Sequence, residues 1–439
     1  MMRTNWTIFK ATLLGLACLA LFASSAQANR RISLADNLLI EDKDDVYQYP
    51  QRALDYRNLV SLDMGLDSSS GRLLFLGGWD DLALGISAEH SAPYNPLSGP
   101  VAADLITYES SALYMGPVSP LPLTGATPSF NPFLLTSTAE YYVGAPPFTL
   151  IDGFLAIPAG NGMFGLRLGF GTRGAAGHDD GAAVEDSGLG ENLITLEAGL
   201  SGGGETEARF DTSLNIALGL GTGENGVGLP NLILPGVPLY DFEEVSSTLI
   251  RASLSARGYI PYSGNIDVGL LGNIVLSNIA ITPSVAGQEF TMSTTGFGLM
   301  GGAGPVFHVT DLTEIAGYGL LGISYVAAEP NDEIDDDKYG DLAIYVPAVR
   351  VAADIGLVEW FFFRCGLQYS FQYVSTSYEN DDTGSRGDGR LGWTGGVGVE
   401  YEGFTLDGAI NQAWFTAGPD FIGGDASLFG VLSAGYNWL

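Results

Sequence analysis

The sequence predicts an all-β chain: a single transmembrane up-and-down antiparallel β-barrel of about sixteen strands, with fourteen as the alternative count. Three observations predict it. Successive segments of about ten residues carry apolar side chains at every second position. The links between them alternate between tight turns and long loops. The chain also stops on SLFGVLSAGYNWL, Ser427 to Leu439, an apolar and aromatic strand with no polar tail. A terminus built of Tyr436 and Trp438 needs both a partner strand and a cover, and lipid supplies the cover.

Taken in order, residues 1–28 read as a secretory signal peptide. Arg3 and Lys10 precede the apolar run Ala11 to Ala23, and Ala26-Gln27-Ala28 supplies the small-residue cleavage pattern before Asn29. Thirteen apolar residues are too few to span a bilayer as a helix, and no later segment reaches the roughly 20 that a membrane helix needs. Residues 29–57 form an acidic leader, expected in the periplasm or as a partial plug. Residues 58–439 form the barrel.

Within the barrel, Phe164, Leu166, Leu168 and Phe170 alternate with Gly165, Arg167 and Gly169. Ile250, Ala252, Leu254, Ala256 and Ile260 alternate with Arg251, Ser253, Ser255 and Arg257. The same period recurs in 361–375 and 390–401. A soluble sandwich also alternates, so the connections decide. Tight links fall at Asp80-Asp81, Pro158 to Asn161, Gly203 to Glu205, Ser263-Gly264, Thr310 to Thr313, Gly356 to Glu359 and Glu402-Gly403. Long ones fall at 91–146, 174–190, 222–243, 278–294, 328–340, 376–388 and 416–426. Short periplasmic turns opposite long extracellular loops are the asymmetry of an outer-membrane barrel. The last strand is expected to pair with the first and to present Leu428, Leu432, Ala434, Tyr436 and Trp438 to lipid. It is also the segment that the barrel-assembly machinery would read.

Composition narrows the function. Eighteen basic residues stand against 50 acidic ones, a formal net charge of −32, and only Lys43 and Lys338 remain as lysines beyond the signal. This balance excludes nucleic-acid binding through basic patches. Once Cys18 leaves with the signal, Cys365 stands alone and no intrachain disulfide can form.

The segment Ile40 to Gly65, IEDKDDVYQYPQRALDYRNLVSLDMG, and the C-terminal FTLDGAINQAWFTAGPDFIGG with SLFGVLSAGYNWL resemble a family of porin-like outer-membrane β-barrel proteins of deltaproteobacterial-type Gram-negative bacteria. In that family an E-D-x-x-D-V leader runs into the first strand, and an F-T-L-D strand followed by a G-P-x-F loop precedes the last. The resemblance implies the fold and the bacterial outer membrane, with its lipid and lipopolysaccharide as surroundings. It implies no catalytic residue, and the final residue here is Leu439 where Phe is more usual.

The site candidates are the charges on the lumen parity: Arg167, Glu197, Arg209, Asp211, Arg251, Arg257, Asp267, Arg350, Asp354, Arg364, Arg390, Glu400 and Asp407. In hydrocarbon each would cost about 2–4 kcal/mol near the midplane, so they are expected to face water and one another. They line an expected passive diffusion channel for small hydrophilic solutes. Acidic outer loops would make it weakly cation-preferring. The alternative is a non-conducting structural or adhesive barrel, closed by 29–57 from below and by loop 91–146 from above.

No enzyme chemistry and no cofactor are expected. Gly169 to Gly174 matches G-x-G-x-x-G but ends a strand, with no helix to follow. His90, His178 and His308 are scattered over strand top, outer loop and turn. Asp335, Asp336 and Asp337 offer oxygen ligands without the spacing of a dedicated calcium loop, so weak divalent bridging is the expectation there.

Overall fold

The computed structural model describes residues 30–35, 37–65, 71–91, 148–177, 187–204, 207–224, 244–285, 288–289, 292–329, 339–378, 384–410 and 429–438. Loop 91–146 beyond Ser91, the signal segment, His178 and the Asp335 to Asp337 cluster lie outside the described residues.

The described strands are β1 Leu59–Gly65, β2 Gly71–Trp79, β3 Leu82–Ser91, β4 Phe148–Ala159, β5 Gly162–Gly177, β6 Ser187–Gly202, β7 Arg209–Glu224, β8 Glu244–Ser263 and β9 Ile266–Val285. After the two-residue β10, Gln288–Glu289, follow β11 Met292–Thr310, β12 Thr313–Glu329, β13 Tyr339–Val358, β14 Phe361–Tyr378, β15 Gly384–Tyr401, β16 Phe404–Ile410 and β17 Phe429–Asn437. β10 only extends the β9 edge, so the wall has sixteen strands. Each pairs antiparallel with its chain neighbour, and β17 pairs with β1 from Leu59↔Asn437 to Gly65↔Val431. The ring is closed and leaves no open edge.

The tight turns sit where their residues permit. Six of the lower-rim links have two residues, and Glu402-Gly403 takes positive φ at both (49° and 81°), the mirror-image turn that matches strand twist. Outward parity is apolar: Leu168, Phe170, Leu214, Ile216, Leu254 and Phe371 are exposed, whereas Arg167, Ser213, Ser253 and Arg364 are buried inside. Trp79, Tyr262, Trp360 and Tyr401, beside the turns, are the lower aromatic girdle. No helix among the described residues is long and apolar enough to cross a membrane.

The strand lengths differ from the sequence expectation. β8, β9 and β13 have 20 residues each, while β1 and β16 have seven. On β7 the outward apolar run extends from Phe210 to Leu220 and then gives way to Thr222; on β8 it ends at Ile250 and gives way to Thr248 and Ser246. Ten tilted residues cover about 25 Å, the height of a lipid-facing band. The tall strands therefore continue well above it, and stretches of the expected loops 174–190, 278–294 and 376–388 are strand. Ladder hydrogen bonding does not need an apolar outer face, so a lipid-facing pattern marks the band and not the strand end.

The leader occupies the interior. A short helix α1, Arg30–Ser33, packs on β14, β15 and β16, and two 3-10 turns follow at Lys43–Tyr47 and Pro50–Leu54. The first turn is fixed by a reciprocal cap: the Asp42 carboxylate accepts from the Asp44 amide at 3.0 Å and the Asp45 carboxylate from the Asp42 amide at 3.2 Å.

Candidate functional site

A leader rich in Leu and Tyr cannot stay solvated, and it finds two apolar patches on the lumen face. Leu34, Leu38, Leu39 and Ile40 pack with Tyr259, Leu271, Met300, Tyr318 and Leu320 of β8 to β12. Val46, Tyr47, Ala53 and Leu54 pack with Leu74, Leu76, Phe154 and Ala156 of β2 to β4. These inward apolar residues were hidden in the sequence because the outward parity there is apolar as well.

Close approach to the wall requires glycine at defined points. A side chain at Gly165 would strike the backbone of Pro50 and Gln51, and one at Gly199 the Gln51 carboxamide. One at Gly366 would meet Leu34 and Ala35, one at Gly396 Ser33, and one at Gly269 Leu39. The lumen glycines thus trace the leader's footprint on three parts of the ring, at β5–β6, at β9 and at β14–β15.

Between the contacts runs an alternating chain of seven charges: Arg31, Asp45, Arg257, Asp211, Arg52, Glu41 and Arg209. Arg31 bonds Asp45, which meets Arg257 at 2.8 Å; Arg257 meets Asp211 at 2.9 Å. Arg52 grips Asp211 with two bonds of 2.9 and 2.8 Å and reaches Glu41 at 3.2 Å, and Glu41 meets Arg209 at 2.7 Å. Three of its six links, Asp45–Arg257, Asp211–Arg52 and Glu41–Arg209, cross between leader and wall. Further ties are Arg30 to Asp354 and Arg72 to Asp44, at 2.7 and 2.8 Å, and Lys43 to Asp63 at 2.9 Å. Backbone carbonyls of the leader accept from Arg167 (Tyr47), Arg257 (Leu38), Tyr259 (Leu39) and Thr394 (Ser33).

Such buried pairs add little net stability over apolar packing, but removing one member leaves the other charge unpaired and costs about 3–5 kcal/mol. Their effect is to fix one seating of the leader. Burial pushes the Asp44 carboxyl up, but Arg72 and Lys43 outweigh it and hold it below the ordinary carboxylate range. Asp42, equally buried and beside the Asp44 charge, is pushed above its ordinary value.

The predicted lumen charges divide. Arg167, Glu197, Asp211, Arg251, Arg257, Arg350, Asp354, Arg364 and Asp407 are buried on the inner face. Arg167, Asp211, Arg257 and Asp354, together with the half-buried Arg209, engage the leader instead of only water and one another. Arg364 bonds both Asp354 and Asp407. Asp267 lies at the lower rim, 3.3 Å from His308. Glu400 is exposed and lies 3.6 Å from Arg364. Arg390 lies on β15, and its side chain is outside the description.

Sequence reasoning missed Asp63, Arg72 and Asp152. Asp152, fully buried, bonds Arg167 at 2.9 Å and accepts from Ser87. A lone aspartate within FTLIDGFLAIPA was the available signal. Gly169 to Gly174 lies inside β5, which removes the nucleotide-loop reading. No group of ligating side chains suited to a metal is present among the described residues.

No family model matches the sequence, and no curated protein does. Among solved structures, the chain is similar to the ferric yersiniabactin uptake receptor FyuA from Yersinia pestis, with 8% identity over 80% of this chain and 67% of that one at a TM-score of 0.37. It is similar to the alcaligin outer membrane receptor FauA from Bordetella pertussis, with 7% identity over 80% and 59% and a TM-score of 0.40. The FrpB iron transporter from Neisseria meningitidis follows, with 8% identity over 84% and 63% and a TM-score of 0.37. The chain spans less than two thirds of the latter two. At these identities and scores, nothing about cargo passes from those proteins to this one.

Proposed function

We propose that the chain is a bacterial outer-membrane barrel whose leader, residues 29–57, is a lumen plug, so that the resting protein does not conduct. The carrying observation is the seven-charge chain from Arg31 to Arg209, which ties the leader into the wall through Asp45–Arg257 and Arg52–Asp211. With the plug displaced, the wall would uncover the mixed lining of Arg167, Asp211, Arg257, Asp354 and Arg364. That is the surface of a passive channel for small hydrophilic solutes, made weakly cation-preferring by its acidic loops. A sixteen-strand wall is too wide to be filled by its own side chains, which is why the leader decides between the two states.

Cleavage after Ala28 would deliver this leader. The β17 strand would serve the assembly machinery, and lipopolysaccharide would surround the outer half. The test is single-channel recording of the purified full-length protein in planar bilayers. A silent bilayer with rare openings is expected, and a steady ohmic current from every insertion would restore the open-pore reading.

A further inference from the structure

The leader joins the wall through a single corner. Its second 3-10 turn ends at Leu54, residues 55–58 carry the chain across, and β1 begins at Leu59. Asn58 makes the corner with a φ of 66°, a left-handed conformation that asparagine adopts more readily than most residues. The wall holds it in place: its side-chain oxygen accepts from the Gly78 amide at 3.1 Å, and its carbonyl accepts from the Trp438 amide at 2.9 Å. Gly78 leaves room for the Arg57 stem, which a β-carbon there would meet at 3.4 Å.

Around this corner lies a cavity of about 360 Å³, a volume that holds small molecules. Leu54, Asp55 and Arg57 line it from the leader side, and Gly78, Asp80 and Asn437 line it from the wall, with Asn58 between them. The fold leaves much of its polar capacity unused. Arg57 donates once, to the Asp80 carbonyl at 3.2 Å, and its other N–H groups have no partner. Among the described residues Arg57 makes no ion pair, and the Asp80 carboxylate and Asn437 carboxamide make no hydrogen bond. Asp55, by contrast, is paired with Arg52 at 2.8 Å. The cavity thus presents one open cation, one open anion, and a carboxamide that can donate and accept.

We propose that this cavity binds a small zwitterion, a molecule with a free ammonium and a free carboxylate such as an amino acid or a dipeptide, and that the occupant keeps the leader seated. The carboxylate would take the open donors of Arg57 and the ammonium the Asp80 carboxylate; a simple anion or cation would answer only one of the two. Arg57 stands on the leader side of the corner and Asp80 on the wall, so the occupant bridges the joint. Asp55 ties the same cavity to the charge chain through Arg52, which grips Asp211. A ligand that binds only the seated form lowers the open-to-closed ratio about a hundredfold at about 100 times its Kd. This latch rests on the plugged-barrel reading, whereas the site does not.

Isothermal titration calorimetry of the purified full-length protein with L-alanine and with L-alanyl-L-alanine tests the site. Saturable heat is expected from at least one of them. N-acetyl-L-alanyl-L-alanine, which lacks the ammonium, and L-alanyl-L-alaninamide, which lacks the carboxylate, are expected to bind weaker by about tenfold or more, the loss of one hydrogen bond to a charged group. Arg57→Gln and Asp80→Asn should each weaken binding by a similar factor. Both positions are exposed, and asparagine suits the turn at residue 80, where φ is 51°. No heat from either zwitterion, or undiminished binding by both folded variants, overturns the site and leaves the plug standing. The latch is read separately in planar bilayers: the bound zwitterion at saturation should suppress the rare openings, and binding without that suppression overturns the latch. Steady ion current with the heat retained removes plug and latch and leaves the site.

Discussion

Asp45→Asn is the sharpest single perturbation of the plug. The substitution keeps the volume and one acceptor oxygen but removes the charge that holds Arg31 and Arg257. Arg257 retains Asp211 at 2.9 Å and the Leu38 carbonyl at 3.0 Å, so most of the penalty falls on Arg31, which is 6% exposed. Breaking a buried pair costs about 3–5 kcal/mol. The partners left to Arg257 put this case at about 3, roughly a hundredfold in the closed-to-open ratio at about 1.4 kcal/mol per decade. The assay is open probability in planar bilayers at fixed voltage. A control separates loss of charge pairing from general damage: Arg31→Met with Asp45→Leu removes both charges together and is expected to return most of the closure, because apolar replacement of a whole buried pair is often neutral. If Asp45→Asn leaves open probability within about threefold of wild type, the charge chain does not hold the leader and the reasoning fails.

Three further outcomes follow from the same geometry. Gly165→Val should raise open probability, because its side chain meets the Pro50–Gln51 backbone, whereas Gly272→Val, with open space around it, should not; bilayer recording of the pair checks this. Cysteines replacing Leu254 or Phe371 should react with lipid-soluble reagents, and cysteines replacing Ser253 or Gln368 only with water-soluble ones. The reverse pattern would mean that the faces are misassigned. Acid should release the plug late. The Asp44 pKa lies below its unfolded value of about 3.9, so its grip on Arg72 is fully present above that value and is lost as pH falls through the depressed one. Raised Asp42 has the opposite sign, its neutral form being favoured at low pH. Conductance at pH 5 should therefore match that at pH 7, and openings should appear only below about pH 4.

The lower rim was legible in the sequence because turns concentrate Gly, Asp and Asn where φ must turn positive, as at Glu402-Gly403. Facing was legible wherever one parity was apolar and the other charged or small, as in β5, β8 and β14. Where Leu150, Asp152, Phe154 and Ala156 face inward while Ile151 and Ile157 face out, both parities are apolar and the pattern gives no direction. The inward charges were legible as a set, but the seating of Arg257 between Asp45 and Asp211 was not. Period two states a face and says nothing about a partner more than 200 residues away in sequence. The leader was read as either a periplasmic segment or a partial plug, and its composition did not choose between them: Leu38, Leu39, Ile40, Tyr47 and Tyr49 are too apolar for a solvated tail and too few to form a core of their own, but the strands they pack on lie elsewhere in the chain.

The claim that the leader fills the lumen is tested most directly by a cross-link across the seam between α1 and β15. A β-carbon built on Gly396 lies 2.7 Å from that of Ser33, within about an ångström of the separation that a disulfide spans. With Cys365→Ser as background, Ser33→Cys/Gly396→Cys should oxidise without catalyst in the purified, membrane-inserted protein. Openings should then vanish at every voltage and return on reduction. Free thiols at both positions, together with currents unaffected by oxidant, would place the leader outside the lumen and contradict the account.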